Sequence, residues 1–424
     1  MEKNPVNIIA FYLPQFYIND LNNRIWGEGF TEWTNVAQAR PNFEGHYQPH
    51  IPGALGFYDL SDERNISKQI SLAKSFGVYG FCFYYYWFDG KRALDVPLDK
   101  FLDSKEEFPF CICWANENWS RKWDGGNDEI ILHQTYGTRF EEEFIQSVEG
   151  ILSDRRYIKI KDKPVLLIYR PGLFPDTHHS VARIREAARQ RDLGELYLLA
   201  VDFYVGEKQI NEWGFDGIVE FPPHQFYDQE LLVDNLPGKI LNTEFKGHLI
   251  DYRKMILRAV NKWRKPFPIK RYRGVIPSWD NTARRKNTPL TVCHSSPEFY
   301  KLWLEYALSY SKYNNSEFVF INAWNEWGEG CHIEPDRATG YKYLQATKAA
   351  LIDYGKKDYN TTSLEVQKLV ESSLSHYCGQ TVTPNTHHIE KPEVISLKDF
   401  LKSRLFKYPK LYKILRAFYH NFLN

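Results

Sequence analysis

The stretch Phe318–Glu329, FVFINAWNEWGE, joins an apolar run to a turn that holds two carboxylates and two indoles. The run, Phe318–Trp324, is apolar nearly throughout, which is typical of a strand buried on both faces. Seven similar runs precede it, and most end in aromatic or polar residues: Val6–Tyr12, Val78–Tyr84, Phe108–Trp114, Pro164–Tyr169, Leu196–Val201, Gly217–Phe221 and Gly274–Trp279. The chain therefore contains eight predicted buried strands.

Segments with helical periodicity separate these runs. Asp62 and Ser296 are suitable helix-start residues, and Pro297 follows the second at the first helical position. Strand and helix alternate eight times, which predicts an α/β fold with a single (β/α)8 TIM barrel; an open doubly wound sheet is the alternative. The predicted helices include Glu63–Phe76, Phe140–Leu152, Val181–Arg191, Ile250–Lys262, Pro297–Tyr310 and Tyr341–Tyr354.

The pattern divides the chain into three parts. Residues 1–353 form the predicted barrel, with long insertions at 17–58 and 221–249 that leave the carboxyl ends of strands. Residues 354–395 are polar and predict a linker with one short helix. Residues 396–424 interleave cations with apolar side chains, which predicts a basic, amphipathic helical tail. This tail would lie on an anionic membrane surface or pack on the barrel.

The composition excludes some classes of partner. A formal net charge of +1 provides no field that would attract nucleic acid. The start of the chain lacks the pattern of an export signal, and no apolar run reaches the roughly 18 residues of a membrane span. The cysteines show no metal-ligand spacing and read as reduced core thiols. These observations predict a cytoplasmic protein, with the tail as a peripheral contact to the inner face of the cell membrane.

Carboxylates, amides and aromatic rings follow the predicted strands. Because the carboxyl ends of barrel strands meet at one face, these side chains should converge there. Sugar binding uses this mixture, since planar polar groups bind hydroxyls and aromatic faces cover ring C–H groups. The residues predicted to contact an oligosaccharide or polysaccharide substrate are Tyr12, Gln15, Trp26, Glu32, Trp33, Tyr86, Trp87, Trp114, Asn116, Asn118, Trp119, Asp202, Glu220, Trp279, Asp280, Asn325 and Trp327.

Glu326 and Glu329 are the candidate catalytic residues. Cleavage of a glycosidic bond requires one carboxyl group to protonate the leaving oxygen and a second to assist on the sugar side. A Glu-x-x-Glu spacing in a tight turn after a strand can direct both groups at one small volume. The alternative is a pair of solvated loop acids, and the flanking Trp324, Trp327 and Gly328 argue against it.

Several long motifs resemble the WbsX family. They are YLPQF (12–16), WGEGFTEWTNV (26–36), YDL (58–60), YYWFDGKR (85–92), WANENWSRKWDG (114–125), SWDNTARR (278–285) and NAWNEWGEG (322–330). That family carries a glycosyltransferase label and occurs among proteins of bacterial O-antigen and capsule biosynthesis. It is related to glycoside hydrolase family 99, the endo-α-mannosidase and endo-α-mannanase barrels, and this narrower similarity rests on the barrel and on residues 325–329.

The similarity to family 99 implies a retaining mechanism through a 1,2-anhydro sugar. In that scheme Glu326 removes the proton of the substrate 2-hydroxyl, while Glu329 protonates the leaving oxygen and later activates the incoming hydroxyl. The sugar must then carry its 2-hydroxyl anti to the leaving group, as α-mannose and α-rhamnose do. The resemblance does not extend to the identity of the sugar.

The transferase label has alternatives. The chain has no Asp-x-Asp to hold the metal of a sugar-nucleotide diphosphate and no Gly-rich phosphate loop after a strand, which favours hydrolysis or transglycosylation. A non-catalytic glycan-binding barrel is a third possibility. Arg284–Lys286 is a candidate phosphate grip. His46, His50 and His224 lack metal-ligand spacing, so neither a metal nor another cofactor is predicted.

Overall fold

The computed structural model describes residues 5–120, 129–203, 205, 207–233, 238–264, 267, 269–356 and 358–377. Eight parallel strands close into a barrel in chain order, because the first strand pairs with both the second and the eighth. The predicted (β/α)8 barrel is therefore confirmed. The strands are β1 (Asn7–Tyr12), β2 (Gly80–Phe88), β3 (Phe110–Trp114), β4 (Lys163–Ile168), β5 (Tyr197–Asp202), β6 (Gly217–Glu220), β7 (Lys270–Val275) and β8 (Phe318–Ile321).

Helices surround the barrel and also occur in its loops. The Asp62 and Ser296 side chains accept hydrogen bonds from the backbone of the helices that follow them, which confirms both predicted starts. The helices are α1 (Asp20–Trp26), α2 (Glu32–Gln38), α3 (Glu63–Ser75), α4 (Val96–Asp103), α5 (Phe140–Leu152), α6 (Thr177–Gln190), α7 (Glu207–Glu212), α8 (Tyr252–Trp263), α9 (Thr282–Arg285), α10 (Pro297–Tyr313), α11 (Lys342–Asp353) and α12 (Tyr359–Tyr377).

Strand β7 begins four residues before the predicted run Gly274–Trp279. Its start is charged, because Arg271 and Arg273 alternate with Tyr272 and Gly274. Both arginines are buried between the sheet and the helix layer. Arg271 Nη1 lies 2.6 Å from Asp202 Oδ2, and Arg273 Nη1 lies 2.7 Å from Glu220 Oε1. These ion pairs allow cations in a strand that is otherwise expected to be apolar.

Aromatic rings fill the barrel interior near its carboxyl end. Phe11 of β1 contacts the rings of Tyr84, Phe221 and Phe320, which come from three other strand regions. Successive side chains of a strand point to opposite faces. In β2, Tyr84 and Tyr86 therefore face the interior, whereas Tyr85 and Trp87 face the helix layer.

Short strand pairs brace the loops. Within the described residues, Lys91–Ala93 extends β2, Lys159–Ile160 pairs with β4, Trp119–Ser120 with Ile130–Leu132, His248–Asp251 with Leu290–Cys293, and Asn325–Glu326 with Cys331–His332. Helices α1 and α2 lie in the insertion at 17–58. The five described cysteines are buried and unpaired, as predicted.

Helix α12 occupies the first part of the segment predicted as a linker. It is longer than the short helix expected near Leu364–Leu374. Tyr359 stacks on Tyr306 of α10, and Arg264 donates to Gln367, so the helix packs on the barrel. The rest of that segment and the predicted basic tail at 396–424 lie outside the described residues. Within the described part, no helix combines the length and the apolar character that a membrane span requires.

Candidate active site

A tight turn after β8 carries the two candidate catalytic residues. Asn325–Glu326 pairs antiparallel with Cys331–His332, and a 3-10 turn, Trp327–Glu329, joins the two strands. Gly330 ends this turn with φ = 55°, a left-handed conformation that favours glycine. The short connection brings the carboxylates of Glu326 and Glu329 to the same guanidinium, at the C-terminal mouth of the barrel.

Arg284 of α9 contacts three carboxylates. Its Nε donates to Glu32 Oε1 at 2.8 Å, its Nη2 donates to Glu326 Oε2 at 3.1 Å, and its Nη1 lies 2.8 Å from Glu329 Oε1. The Arg284 side chain is only 2% exposed. Arg284 is therefore engaged with carboxylates, whereas the sequence analysis considered it as part of a phosphate grip. Its pairing with Glu32 and Glu326 joins the first long insertion to the turn after β8.

Gly328 makes this arrangement possible. A Cβ atom at position 328 would collide with the Glu32 carboxylate, and it would come within 2.8 Å of Arg284 Nε. The glycine in the middle of Trp-Gly-Glu thus permits the close approach of Glu32 and Arg284 to the turn. A side chain there would force Glu32 or Arg284 to move.

The environment favours a retained proton at the carboxylate pair. The pKa of Glu326 is raised to about 8, mainly by burial; Arg284 opposes the rise, and the negative charges of Glu329 and Glu32 add to it. Burial also raises the pKa of Glu329, again against the effect of Arg284. One guanidinium cannot neutralise three ionised carboxylates, so Glu326 and Glu329 can share one proton at neutral pH. Donation by Glu329 requires this proton to lie on Glu329 and Glu326 to be ionised. This is the condition for general acid catalysis.

We expect Glu32→Gln to change the pH dependence of activity. Gln keeps an oxygen that can accept from Arg284 Nε but removes a negative charge that raises the pKa of both Glu326 and Glu329. Both pKa values should fall, and the protonated acid should be lost at lower pH. The alkaline limb of the plot of kcat/KM against pH should therefore shift to lower pH by about 1 unit. An unmoved or raised limb would contradict this, and Glu28→Gln, an exposed neighbour, is the control.

Aromatic and amide groups line the mouth beside the pair. Tyr86 hydrogen-bonds to the Gln15 side chain and stacks against Trp119 at 6.1 Å between ring centroids. Gln15 Nε2 and Trp279 Nε1 are buried and have no hydrogen-bond partner among the described residues. A cleft next to Arg284 is lined by Gln15, Trp26, Phe30, Glu32, Asn35 and Trp119. The structure therefore brings Gln15, Trp26, Glu32 and Trp119 together as predicted.

Glu117 is a fourth acid at this mouth, and the predicted site did not include it. Its carboxylate pairs with Arg170 Nη1 at 3.0 Å, and burial raises its pKa against the effect of Arg170. Burial raises the pKa of Tyr169, and the negative charges of Glu117 and Glu329 add to this rise, so both acids lie near its hydroxyl. The run Trp114–Trp119, WANENW, already pointed to this position.

Five predicted substrate contacts face the helix layer instead. Trp114 stacks on Phe144 of α5 at 3.9 Å, and its Nε1 donates to the Trp87 carbonyl. Tyr12 donates to Gln69 of α3. Asp202 and Glu220 form the ion pairs with β7 described above. The prediction that Tyr12, Trp87, Trp114, Asp202 and Glu220 contact substrate is therefore corrected: each side chain is engaged behind the barrel wall.

A second group of predicted contacts holds the loops in place. The Asn116 side chain bonds to the Arg170 backbone, and that of Asn325 to the Leu13 backbone. Asp280 accepts from Gln48 and Thr282 and pairs with His46. Two indoles also donate to loop groups, Trp33 to the Tyr58 carbonyl and Trp327 to Glu334. The exposed Asn118 accepts from the Gln134 backbone. These residues support the site rather than line it.

Glu334 is a buried carboxylate that the sequence analysis missed. Its oxygens accept hydrogen bonds from Gln69, Tyr58 and Trp327, each at 2.7 Å. Burial raises its pKa to about 7, although the hydrogen bonds oppose this. Through Trp327 it holds the turn after β8 in place.

The fold is a (β/α)8 barrel with a pair of carboxylates in the turn after its eighth strand. The model of the family described as "Glycosyltransferase WbsX" matches residues 8–347, and the chain belongs to this family. Uncharacterized proteins WxcX from two strains of Xanthomonas campestris pv. campestris are 38% identical over 354 residues, which is 82% of this chain and 50% of theirs. The chain thus spans about half the length of these relatives.

A solved structure shows the same fold. A glycoside hydrolase-like protein superposes with a TM-score of 0.53 and 13% identity, over 83% of this chain and 95% of the other. The GH99 endo-alpha-mannosidase from Bacteroides thetaiotaomicron gives a TM-score of 0.49 and 16% identity, over 82% of this chain and 98% of the other. At these identities the first comparison supports the barrel architecture and nothing finer.

Proposed function

We propose that this chain is a retaining enzyme that cleaves or transfers α-manno- or α-rhamno-configured glycosidic bonds of a bacterial surface polysaccharide or its precursors. The observation that carries the proposal is the pair Glu326 and Glu329, held by Arg284 at the barrel mouth. A family described as glycosyltransferases supports action on glycans. The unpaired donors of Gln15 and Trp279 supply groups that can bind sugar oxygens.

The chemistry would proceed in two steps. In the first step the 2-oxygen of the substrate attacks the anomeric carbon while Glu326 takes the proton of that 2-hydroxyl. Glu329 donates a proton to the departing glycosidic oxygen. In the second step Glu329 removes a proton from the incoming hydroxyl as its oxygen attacks the anomeric carbon. This attack breaks the bond between the anomeric carbon and the 2-oxygen, and Glu326 returns its proton to the 2-oxygen. Two displacements at the anomeric carbon retain its configuration.

The incoming hydroxyl distinguishes hydrolysis from transfer. Water gives a free reducing end, whereas a sugar hydroxyl gives a new glycoside. A sugar-nucleotide glycosyltransferase and a non-catalytic glycan-binding barrel are the alternatives. The absence of Asp-x-Asp from the chain disfavours the first, and the retention of both Glu326 and Glu329 disfavours the second.

The direct test is incubation with aryl α-mannosides, aryl α-rhamnosides and O-antigen fragments. We expect release of the aryl group or of reducing ends from at least one α-configured substrate. Proton NMR should show the α-anomer as the first product. Turnover that requires a sugar nucleotide, or an inverted first product, would contradict the proposal. Binding of the fragments without turnover would support the glycan-binding alternative.

We further expect the tail at 396–424 to bring the protein to an anionic membrane surface on the cytoplasmic side. Seven Lys or Arg residues occur there with one acid, Asp399. Each cation near such a surface contributes about 1 kcal/mol, and apolar burial adds to this. In flotation with anionic liposomes, the full chain should float and a chain ending at 395 should not. Equal flotation of both would rule out this role.

A further inference from the structure

Three potential metal ligands meet behind the catalytic turn. One ligand atom each from His50, His332 and Asp336 lies within 4.8 Å of the other two, and all three residues are buried. His50 Nδ1 is 2.9 Å from His332 Nε2. His50 lies 282 residues before His332 in the chain, so ligand spacing could not reveal the set.

Backbone hydrogen bonds hold the two segments that supply these ligands. Gly53 N donates to the Pro335 carbonyl at 2.7 Å, and Arg337 N donates to the Ile51 carbonyl at 2.9 Å. A Cβ atom at Gly53 would come within 2.9 Å of the same Pro335 oxygen, so the close approach requires glycine. The ligands are therefore positioned by a rigid framework rather than by flexible loops.

The surroundings orient the ligand atoms. His332 Nδ1 lies 3.0 Å from the Glu334 carbonyl, so this nitrogen carries the proton and Nε2 presents its lone pair towards His50. A backbone carbonyl behind a ligating histidine is the usual support of a metal site. Asp336 Oδ1 accepts from the Thr339 backbone at 2.6 Å and from its hydroxyl at 2.8 Å, which fixes the carboxylate.

We propose that His50, His332 and Asp336 bind one divalent transition-metal ion, with zinc as the best-matched ion. Two imidazoles and a carboxylate suit zinc and its neighbours rather than magnesium or calcium. Nitrogens 2.9 Å apart would subtend an angle of about 90° at a metal 2.0–2.1 Å from each, so a tetrahedral zinc ion would move them apart to about 3.3 Å. The proposal is independent of the proposed glycosidase chemistry.

The ion would stabilise the catalytic turn. The His332 ring stacks on Trp327 at 3.6 Å, and His332 pairs in register with Asn325. A metal held by His50, His332 and Asp336 would link the turn to the first long insertion, which contains His50. Its role would be structural, because Glu326 and Glu329 contact Arg284 rather than these ligands.

The test uses the full untagged chain, stripped with EDTA and then supplied with zinc chloride. We expect about one equivalent of zinc by mass spectrometry of the metal content, and a rise in Tm of roughly 3 °C or more at saturating zinc. His50→Gln and Asp336→Asn should both lose that equivalent and the rise in Tm. Asn at 336 keeps an oxygen that can accept from Thr339, so this variant should still fold.

His178→Gln is the matched control, because His178 is exposed on α6. It should bind zinc like the unaltered chain. His387 and His388 are present in every variant, so any zinc that they bind adventitiously cancels when zinc uptake is compared between variants. No zinc uptake, or equal uptake by the unaltered chain, His50→Gln and Asp336→Asn, would overturn the proposal and leave a plain imidazole–imidazole hydrogen bond.

Discussion

Glu326→Gln and Glu329→Gln should each lower kcat/KM on an unactivated α-glycoside by about 10²–10⁴-fold, the usual contribution of general acid–base assistance. Gln keeps the shape of the side chain and an oxygen that can accept from Arg284, but it cannot exchange a proton. Circular dichroism and Tm should show that both variants fold. Glu63→Gln, an exposed change on α3, should leave kcat/KM within a factor of two.

The leaving group separates the two roles. An activated aryl leaving group needs little protonation, so Glu329→Gln should regain much of its activity on such a substrate. Glu326→Gln should not, because the 2-hydroxyl proton must still be removed. Equal rescue of both variants would show that Glu326 and Glu329 do not divide the work in this way.

Glu220→Gln should cost about 3–5 kcal/mol in the free energy of unfolding, the usual cost of breaking a buried ion pair. Arg273 stacks on Tyr310 at 4.0 Å and is fully buried, so it cannot move to water when Glu220 loses its charge. Urea unfolding should show the loss as a lower midpoint. At temperatures where the variant is folded, KM should equal that of the unaltered chain.

A double variant makes this prediction sharper. Adding Arg273→Met to Glu220→Gln removes the unpaired charge and should restore most of the lost stability. A raised KM with an unchanged unfolding midpoint would place Glu220 in the substrate site, as the sequence analysis expected. The assignment of Glu220 to a buried ion pair with Arg273 would then be wrong.

The barrel could be predicted because parallel strands buried on both faces are continuously apolar. The same property hides the direction of each side chain. Trp87, Trp114 and Glu220 do stand at strand ends, as predicted, yet the period of two sends them outward. A strand with polar and apolar residues in alternation would have revealed this, whereas a uniformly apolar strand does not.

Contacts between distant segments were the other limit. Glu326 and Glu329 could be selected from their spacing and from the turn that contains them. Arg284 could not be assigned to them, because nothing in the chain shows that α9 meets Glu32 and the turn after β8. Charged residues likewise concealed the start of β7, since Arg271 becomes compatible with a buried strand only through Asp202.

The most direct test of the central claim compares an α-configured aryl glycoside that the enzyme turns over with its 2-deoxy analogue. The proposed mechanism requires the 2-oxygen to attack the anomeric carbon, so the analogue should bind, detectable as competitive inhibition, and release no aryl group. The account would be contradicted if the analogue released its aryl group at a rate similar to that of the parent glycoside and if Glu326→Gln retained this activity. A carboxylate would then have to act directly at the anomeric carbon.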